Sequence, residues 1–203
     1  AAKWPAHVVD AKRALAWLRE HVAEHGGDPG FIAVSGGSAG GHLISLLALT
    51  AGHAEFQPGF EQADTEVQAA VPYYGKYDFL DREGLVDGSH GFTQFLVDRV
   101  MPCPPPADPA LWDSASPAEQ VHAGAPPMFV LQGSHDTLIF VQEARAFVRK
   151  LRAVATRPVV YAELAGAQHA FDALHSIRTE HAVDAVHRFL ELCYSDHLRR
   201  RQS

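Results

Sequence analysis

Cysteine is scarce: Cys103 and Cys193 are the only two in 203 residues, and they form no C-x-x-C pair. That spacing excludes a disulfide framework and suggests no zinc site. No apolar run approaches the roughly 18 to 20 residues of a membrane span. The opening AAKWPAHVVD lacks a signal peptide's charged-then-apolar layout, so the chain reads as soluble, with its compartment open. Positive charge is also short, since 17 Lys and Arg against 24 Asp and Glu leave a formal net charge of -7. Phosphate binding needs clustered Lys and Arg, which excludes nucleic acid as a partner. The one basic run, the terminal HLRRRQS, reads as a solvated tail. The dinucleotide fingerprint G-x-G-x-x-G is missing, and so is the acid expected downstream of it to hold a ribose.

What is present describes one globular domain over residues 1–203, with 47% hydrophobic and 20% charged residues. Pro5 suits a first helical turn. Val8, Ala11, Leu15, Leu18 and Val22 then repeat at helical steps until Gly26 and Gly27 end the pattern. Phe31–Ser35 is a short apolar run of the kind buried on both faces of a parallel sheet. From Ala39 to about Ala51 the pattern is apolar nearly all round, as in a deeply buried helix. Further strands are expected at Val67–Tyr74, Pro127–Gly133 and Pro158–Leu164. One helix carries Val141, Ala144, Phe147, Val148 and Leu151, and a last one Val183, Val186, Phe189, Leu190 and Cys193. Strands separated by helices mean a mostly parallel sheet with right-handed crossovers.

The interval 77–125 breaks this rhythm. MPCPPPADPALWDSASP is too rich in proline for a regular element, and it follows short apolar patches such as FTQFLVDRV. Insertions of this kind lie over the carboxyl ends of strands, where ligands bind. The interval is therefore expected to be a lid.

The chemistry gathers at Gly36-Gly37-Ser38-Ala39-Gly40. This is G-x-S-x-G between an expected strand and an expected helix, the context of a nucleophile elbow. There the serine takes a strained backbone conformation that projects its hydroxyl. Gly36 and Gly40 are expected to be small because larger side chains would collide with the turn. The N–H groups of the following helix, that of Ala39 first, point at negative charge forming beside the serine. A hydroxyl needs a base, and the base needs an acid to fix its tautomer. Asp136 follows the strand ending at Gly133, and His169 follows the strand ending near Leu164. Ser38, Asp136 and His169 thus come, in the order of this pattern, from the ends of three strands.

The segments GGDPGFIAVSGGSAGGHL, SPAEQVHAGAPPMFVLQGSHDTLI and ELAGAQHAFD resemble those of α/β-hydrolase-fold carboxylesterases and lipases, in particular hormone-sensitive-lipase-like bacterial esterases. VPYYGKYDF adds a similarity to actinobacterial lipases and esterases. The resemblance covers about Trp4 to Leu192. It implies Ser38 as nucleophile, His169 as general base and then acid, Asp136 as its orienting partner and the Ala39 N–H as one oxyanion donor. The reaction implied is two-step hydrolysis of a small-molecule or lipid ester through an acyl-serine, without metal or cofactor. Such enzymes carry an HGGG-type oxyanion segment before the elbow. The nearest match, HGGD at His25–Asp28, reads instead as a helix C-cap turn. The chain is therefore expected to correspond to the C-terminal two-thirds of a hydrolase domain. Its strand Phe31–Ser35 would then be an unpaired edge, open to a missing N-terminal segment or to a second copy in a homo-oligomer.

HVAEH, from His21 to His25, matches the inverted zinc-peptidase pattern H-x-x-E-H. Its second histidine falls at a fraying helix end and no third ligand can be singled out, so a solvated helix end is the better reading. Beside the serine esterase stand an amidase, peptidase or acyltransferase on the same scaffold, and a hydrolase-like fragment serving as a binding or assembly module.

Overall fold

The computed structural model describes residues 2–85 and 90–202. Four of the residues in the expected lid, 86–89, lie outside the described residues. Four strands form one sheet in the order β1-β2-β3-β4: β1 (Ala33–Gly37), β2 (Ala69–Tyr73), β3 (Met128–Gly133) and β4 (Val159–Leu164). All three pairings are parallel, with Ser35 opposite Val71 and Leu131 opposite Ala162. The carboxyl ends of the strands therefore share one edge of the sheet.

Side chains alternate across a strand, so the two faces of this sheet build separate cores. On one face Ala70, Met128 and Val130 pack with Ile44 and Leu49 of α2 (Ala39–Leu49) and with Phe147 and Leu151 of α5 (Val141–Val154). On the other, Val71, Phe129 and Leu131 meet Ala182 and Phe189 of α6 (Ile177–Gln202). The outermost strand differs from the expectation of burial on both faces. Ala33, Ser35 and Gly37 are exposed, because α6 covers β2 and β3 and leaves the α6 side of β1 open. Among the described strands, β1 has a neighbour on one side only.

α1 (Ala6–His21) follows Pro5, and one 3-10 turn carries the chain to Gly26 at φ 82. The N–H groups of Gly26 and Gly27 donate to Ala23 and Val22, so HGGD is a C-cap turn in the structure. On the buried face of α1 sits a cation that the apolar stripe did not include. Lys12 is fully buried, and its ammonium donates to the Thr50 carbonyl, to Gln57 Oε1 at 3.2 Å and to Thr65 Oγ1 at 3.4 Å. Three acceptors match three N–H donors, while burial pushes Lys12 down to about 8.

Three further expectations need correction. The proline-rich run holds a regular element after all, α4 (Pro109–Ser114). Pro109 stands at its first turn, where no N–H is missed, and the Asp108 side chain caps Leu111 N at 3.0 Å. It follows α3 (His90–Arg99), which contains most of FTQFLVDRV. The C-terminal basic run continues α6 instead of forming a tail. Arg201 reaches Asp28 at 3.1 Å and Arg200 reaches Asp196 at 2.7 Å. Of the apolar set expected on the last helix, Val186, Phe189, Leu190 and Cys193 pack toward the sheet, whereas Val183 is 55% exposed and Ala182 is buried in its place. The helix touches the sheet along a narrow line, so only part of its apolar set is covered. Among the described residues, no helix is long and apolar enough to cross a membrane.

Candidate active site

The turn between β1 and α2 carries Ser38 at φ 57 and ψ -119, a region that L residues seldom occupy. Its own N–H donates to the Tyr73 carbonyl at 3.0 Å, and its carbonyl accepts from His42 N at 3.0 Å. Strain of this kind persists only where the surroundings over-determine it. Here glycines supply the closeness. A Cβ on Gly36 would lie 2.8 Å from the Gly40 carbonyl carbon, which forces glycine at 36. The expected crowding at Gly40 is absent, since a Cβ there would meet nothing within 4 Å. The restriction is one-sided: Gly40 supplies the backbone that Gly36 must let pass. Two contacts not anticipated tighten the turn further. A Cβ on Gly41 would stand 2.6 Å from the Tyr73 carbonyl oxygen, and one on Gly75 would stand 2.8 Å from the Gly41 carbonyl carbon. The start of α2 is thus in backbone contact with the end of β2.

The structure brings the three sequence-derived residues together. His169 Nε2 lies 2.8 Å from Ser38 Oγ, and His169 Nδ1 lies 2.7 Å from Asp136 Oδ2. Asp136 is buried directly after β3 and is held on both oxygens. Its Oδ1 accepts from the N–H groups of Leu138 and Ile139 at 2.9 Å, and its Oδ2 accepts from Gln132 Nε2 at 3.0 Å. A carboxylate so fixed accepts a hydrogen bond from the Nδ1–H of His169 and leaves Nε2 as acceptor toward the serine hydroxyl. Gln132 itself was not singled out in the sequence. The signal was there, a lone amide in the otherwise apolar MFVLQG, four residues before the acid. Ala39 opens α2, and its N–H, like those of Gly40 and Gly41, precedes the first intrahelical bond, that of His42 N.

Beside Ser38 and Ala39 opens a cavity of about 820 Å³. Phe79, Phe92, Phe95 and Leu96 line it from the interval 77–125, and Leu138 and Phe140 from the loop after Asp136. Its polar lining includes His42 and the pair Lys76–Glu143. Lys76 Nζ meets Glu143 Oε1 at 2.7 Å, both side chains buried, and lies 5.6 Å from the Phe92 ring centre. Burial pushes the Glu143 carboxyl up, with Lys76 opposing.

His42, one turn after Ser38, is buried, stacks on Phe79 at 4.6 Å and donates from Nε2 to the Ala115 carbonyl at 2.7 Å. Burial pushes its pKa down to about 4, the Ala115 contact opposing. Between pH 6.5 and 4 an unfolded His42 takes a proton that the folded one refuses. Stability is therefore full above pH 6.5 and declines as pH falls toward 4, by up to about 3 kcal/mol from this group. His42→Gln retains a side-chain donor without titrating. Urea denaturation at pH 7 and pH 4.5 should show a smaller loss in the variant than in the parent; equal losses would exclude His42 as the source.

Among the described residues no group of three or more His, Cys, Asp or Glu could hold a metal ion. Of the H-x-x-E-H set, His21 Nδ1 lies 3.0 Å from Glu24 Oε1, and His25 ends the 3-10 turn. Cys103 and Cys193 are free and partly buried.

The BD-FAE family model matches residues 1–151. The chain is 53% identical over 193 residues to the probable carboxylic ester hydrolase LipM of Mycobacterium tuberculosis, covering 95% of this chain and 44% of LipM. Among solved structures it resembles a thermophilic esterase of Thermogutta terrifontis, Est2, solved with butyrate bound. The TM-score is 0.70 at 28% identity, covering 98% of this chain and 66% of that one. A truncated form of a carbohydrate esterase from gut microbiota superposes with TM-score 0.78 at 20% identity, covering 94% and 70%, a likeness of fold. The architecture is that of the α/β-hydrolase fold. The chain spans about half the length of the curated relatives it matches, 44% to 46%.

Proposed function

The chain belongs to the BD-FAE family, and on that premise we propose that it is a serine-dependent carboxylic-ester hydrolase acting through an acyl-enzyme. The observation that carries the reading is the continuous Ser38–His169–Asp136 chain of contacts, at 2.8 and 2.7 Å, beside an apolar cavity. Ser38 Oγ attacks the ester carbonyl carbon while its proton passes to His169 Nε2, and Asp136 stabilises the imidazolium that results. The oxygen that becomes negative lies against the Ala39 N–H. Collapse of this intermediate breaks the carbon–oxygen bond to the alcohol, which leaves with the proton from His169. Water then attacks the acyl-serine by the same route in reverse and frees the acid.

Apolar walls favour uncharged acyl or alcohol groups over ionic ones, because a charge there would lose its hydration. The names of the relatives, a carboxylic ester hydrolase and an esterase solved with butyrate, support an ester substrate with a short to medium acyl chain. The described part of residues 77–125 acts as a lid in this reading, because it places five apolar side chains, Phe79, Phe92, Phe95, Leu96 and Val100, on the cavity.

A fluorophosphonate probe tests the assignment, since it reacts covalently with activated serines. Peptide mass spectrometry should find one label per chain, on Ser38, and p-nitrophenyl butyrate should be hydrolysed faster than the matching anilide. A label elsewhere, or none, together with no Ser38-dependent turnover, would overturn the reading.

A further inference from the structure

VPYYGKYDF is the one segment of resemblance to which the reaction assigns no task, and its second tyrosine touches three parts of the site. Tyr74 stands just past β2 at φ 37, and its N–H donates to the Leu131 carbonyl at 2.8 Å, so its backbone is fixed to β3. Its ring lies 4.7 Å from the His169 ring at 61°, edge to face, and 5.5 Å from Phe171. Its hydroxyl donates to Asp172 Oδ1, three residues beyond His169. On its other side it lies over the elbow: a Cβ on Gly37 would stand 2.6 Å from the Tyr74 hydroxyl oxygen, which accounts for the glycine beside the serine. Between His169 and Asp172 the chain reverses sharply through Ala170 at φ 55. Two points of a four-residue turn, one a ring and one a carboxylate, therefore rest on the same tyrosine.

We infer that Tyr74 is a positioning residue for His169, its ring supporting the imidazole and its hydroxyl latching the histidine loop through Asp172. The inference rests on His169 acting as the base. An imidazole held at its other end by Asp136 alone can still pivot about the Nδ1 contact, which swings Nε2 away from Ser38. The tyrosine edge blocks that swing, and the latch keeps the loop from carrying the ring off. Burial first, and Asp172 second, hold the phenol above its usual range, so the hydroxyl remains a donor at any working pH.

Steady-state hydrolysis of p-nitrophenyl butyrate by the parent, Tyr74→Phe, Asp172→Ala, Asp172→Asn and the Tyr74→Phe/Asp172→Ala double variant tests the latch. Misplacing a reacting group by about 1 Å costs on the order of 100-fold, so Tyr74→Phe should lower kcat roughly 10- to 100-fold while leaving KM near its parental value. Asp172→Ala should match it, Asp172→Asn, which retains an acceptor oxygen, should recover most of the rate, and the double variant should be no slower than either single one. The downfield proton signal of His169 Nδ1–H, sharp in the parent and broadened in Tyr74→Phe, reads the same pivot without turnover. Parental kcat in Tyr74→Phe, losses that multiply in the double variant, or an effect on KM alone would overturn the latch. Should Tyr74→Phe not fold, Asp172→Ala, its loop residue half-buried, carries the comparison. A parent whose turnover survives Ser38→Ala would instead remove the reading beneath it, which separates the two failures.

Discussion

Ser38→Ala should lower the rate of ester hydrolysis roughly 10⁴- to 10⁶-fold, the loss seen when the nucleophile of a serine triad is removed. The reason is local. The hydroxyl is the hydrogen-bond partner of His169 Nε2, and without it the imidazole has a proton acceptor position and nothing to activate. What survives is the effect of binding in the cavity and of the Ala39 N–H, neither of which forms a covalent bond. Fold should be unaffected, because Ser38 makes its structural contacts through its N–H and carbonyl, which alanine retains. The φ of 57 is as costly for alanine as for serine, so circular dichroism and Tm should stay near parental values. Equal turnover by parent and variant under conditions where both are folded would remove Ser38 from the reaction.

Asp136→Asn should cost about 10⁴-fold in kcat with the geometry nearly intact, an effect of tautomer and not of shape. In the parent every group facing the carboxylate is a donor: two backbone N–H groups, the Gln132 amide and His169 Nδ1. Asparagine can satisfy the two N–H groups only by keeping its oxygen toward Leu138 and Ile139. Its own NH₂ then meets Gln132 and His169, where it can only donate. His169 responds by moving its proton to Nε2, which turns the base toward Ser38 into a donor. Rates measured from pH 6 to 10 should stay depressed throughout, since no titration restores the lost acceptor. Activity within tenfold of the parent would show that Asp136 does not set the tautomer.

Much of the site's scaffold was visible in the sequence because its signals are local. FIAVS followed at once by glycines and an apolar helix marks a strand, a turn and a helix whatever lies around them. The placement of Asp136 and His169 just after MFVLQG and VVYAEL follows from strand boundaries, and the structure sets both side chains against Ser38 or its partner. What was not legible depends on neighbours distant in the chain. The openness of β1 on its α6 side comes from where a helix of residues 177–202 happens to stop covering the sheet. Tyr74 and Asp172 are 98 residues apart, and nothing local to either marks the pair. Gly41 and Gly75 likewise make sense only once two backbones touch. Lys12 misleads periodicity outright: a cation on a helix stripe reads as a solvent-facing residue, while its three acceptors come from residues 50, 57 and 65.

That lysine closes the far end of the helix that begins at the serine. Peptide dipoles in α2 align so that its first turn is electropositive and its last carbonyls electronegative. The positive pole stands at Ser38, and the negative pole closes on Thr50, whose carbonyl accepts from the Lys12 ammonium. In an ordinary surface helix, water would neutralise that far pole. Here a buried cation does so, and α2 is terminated at both ends by protein: unpaired amides beside Ser38 at its start, and the Lys12 ammonium at its close. The close of α2, eleven residues on from its start at Ala39, is thus met inside the protein by a fixed donor and not by water.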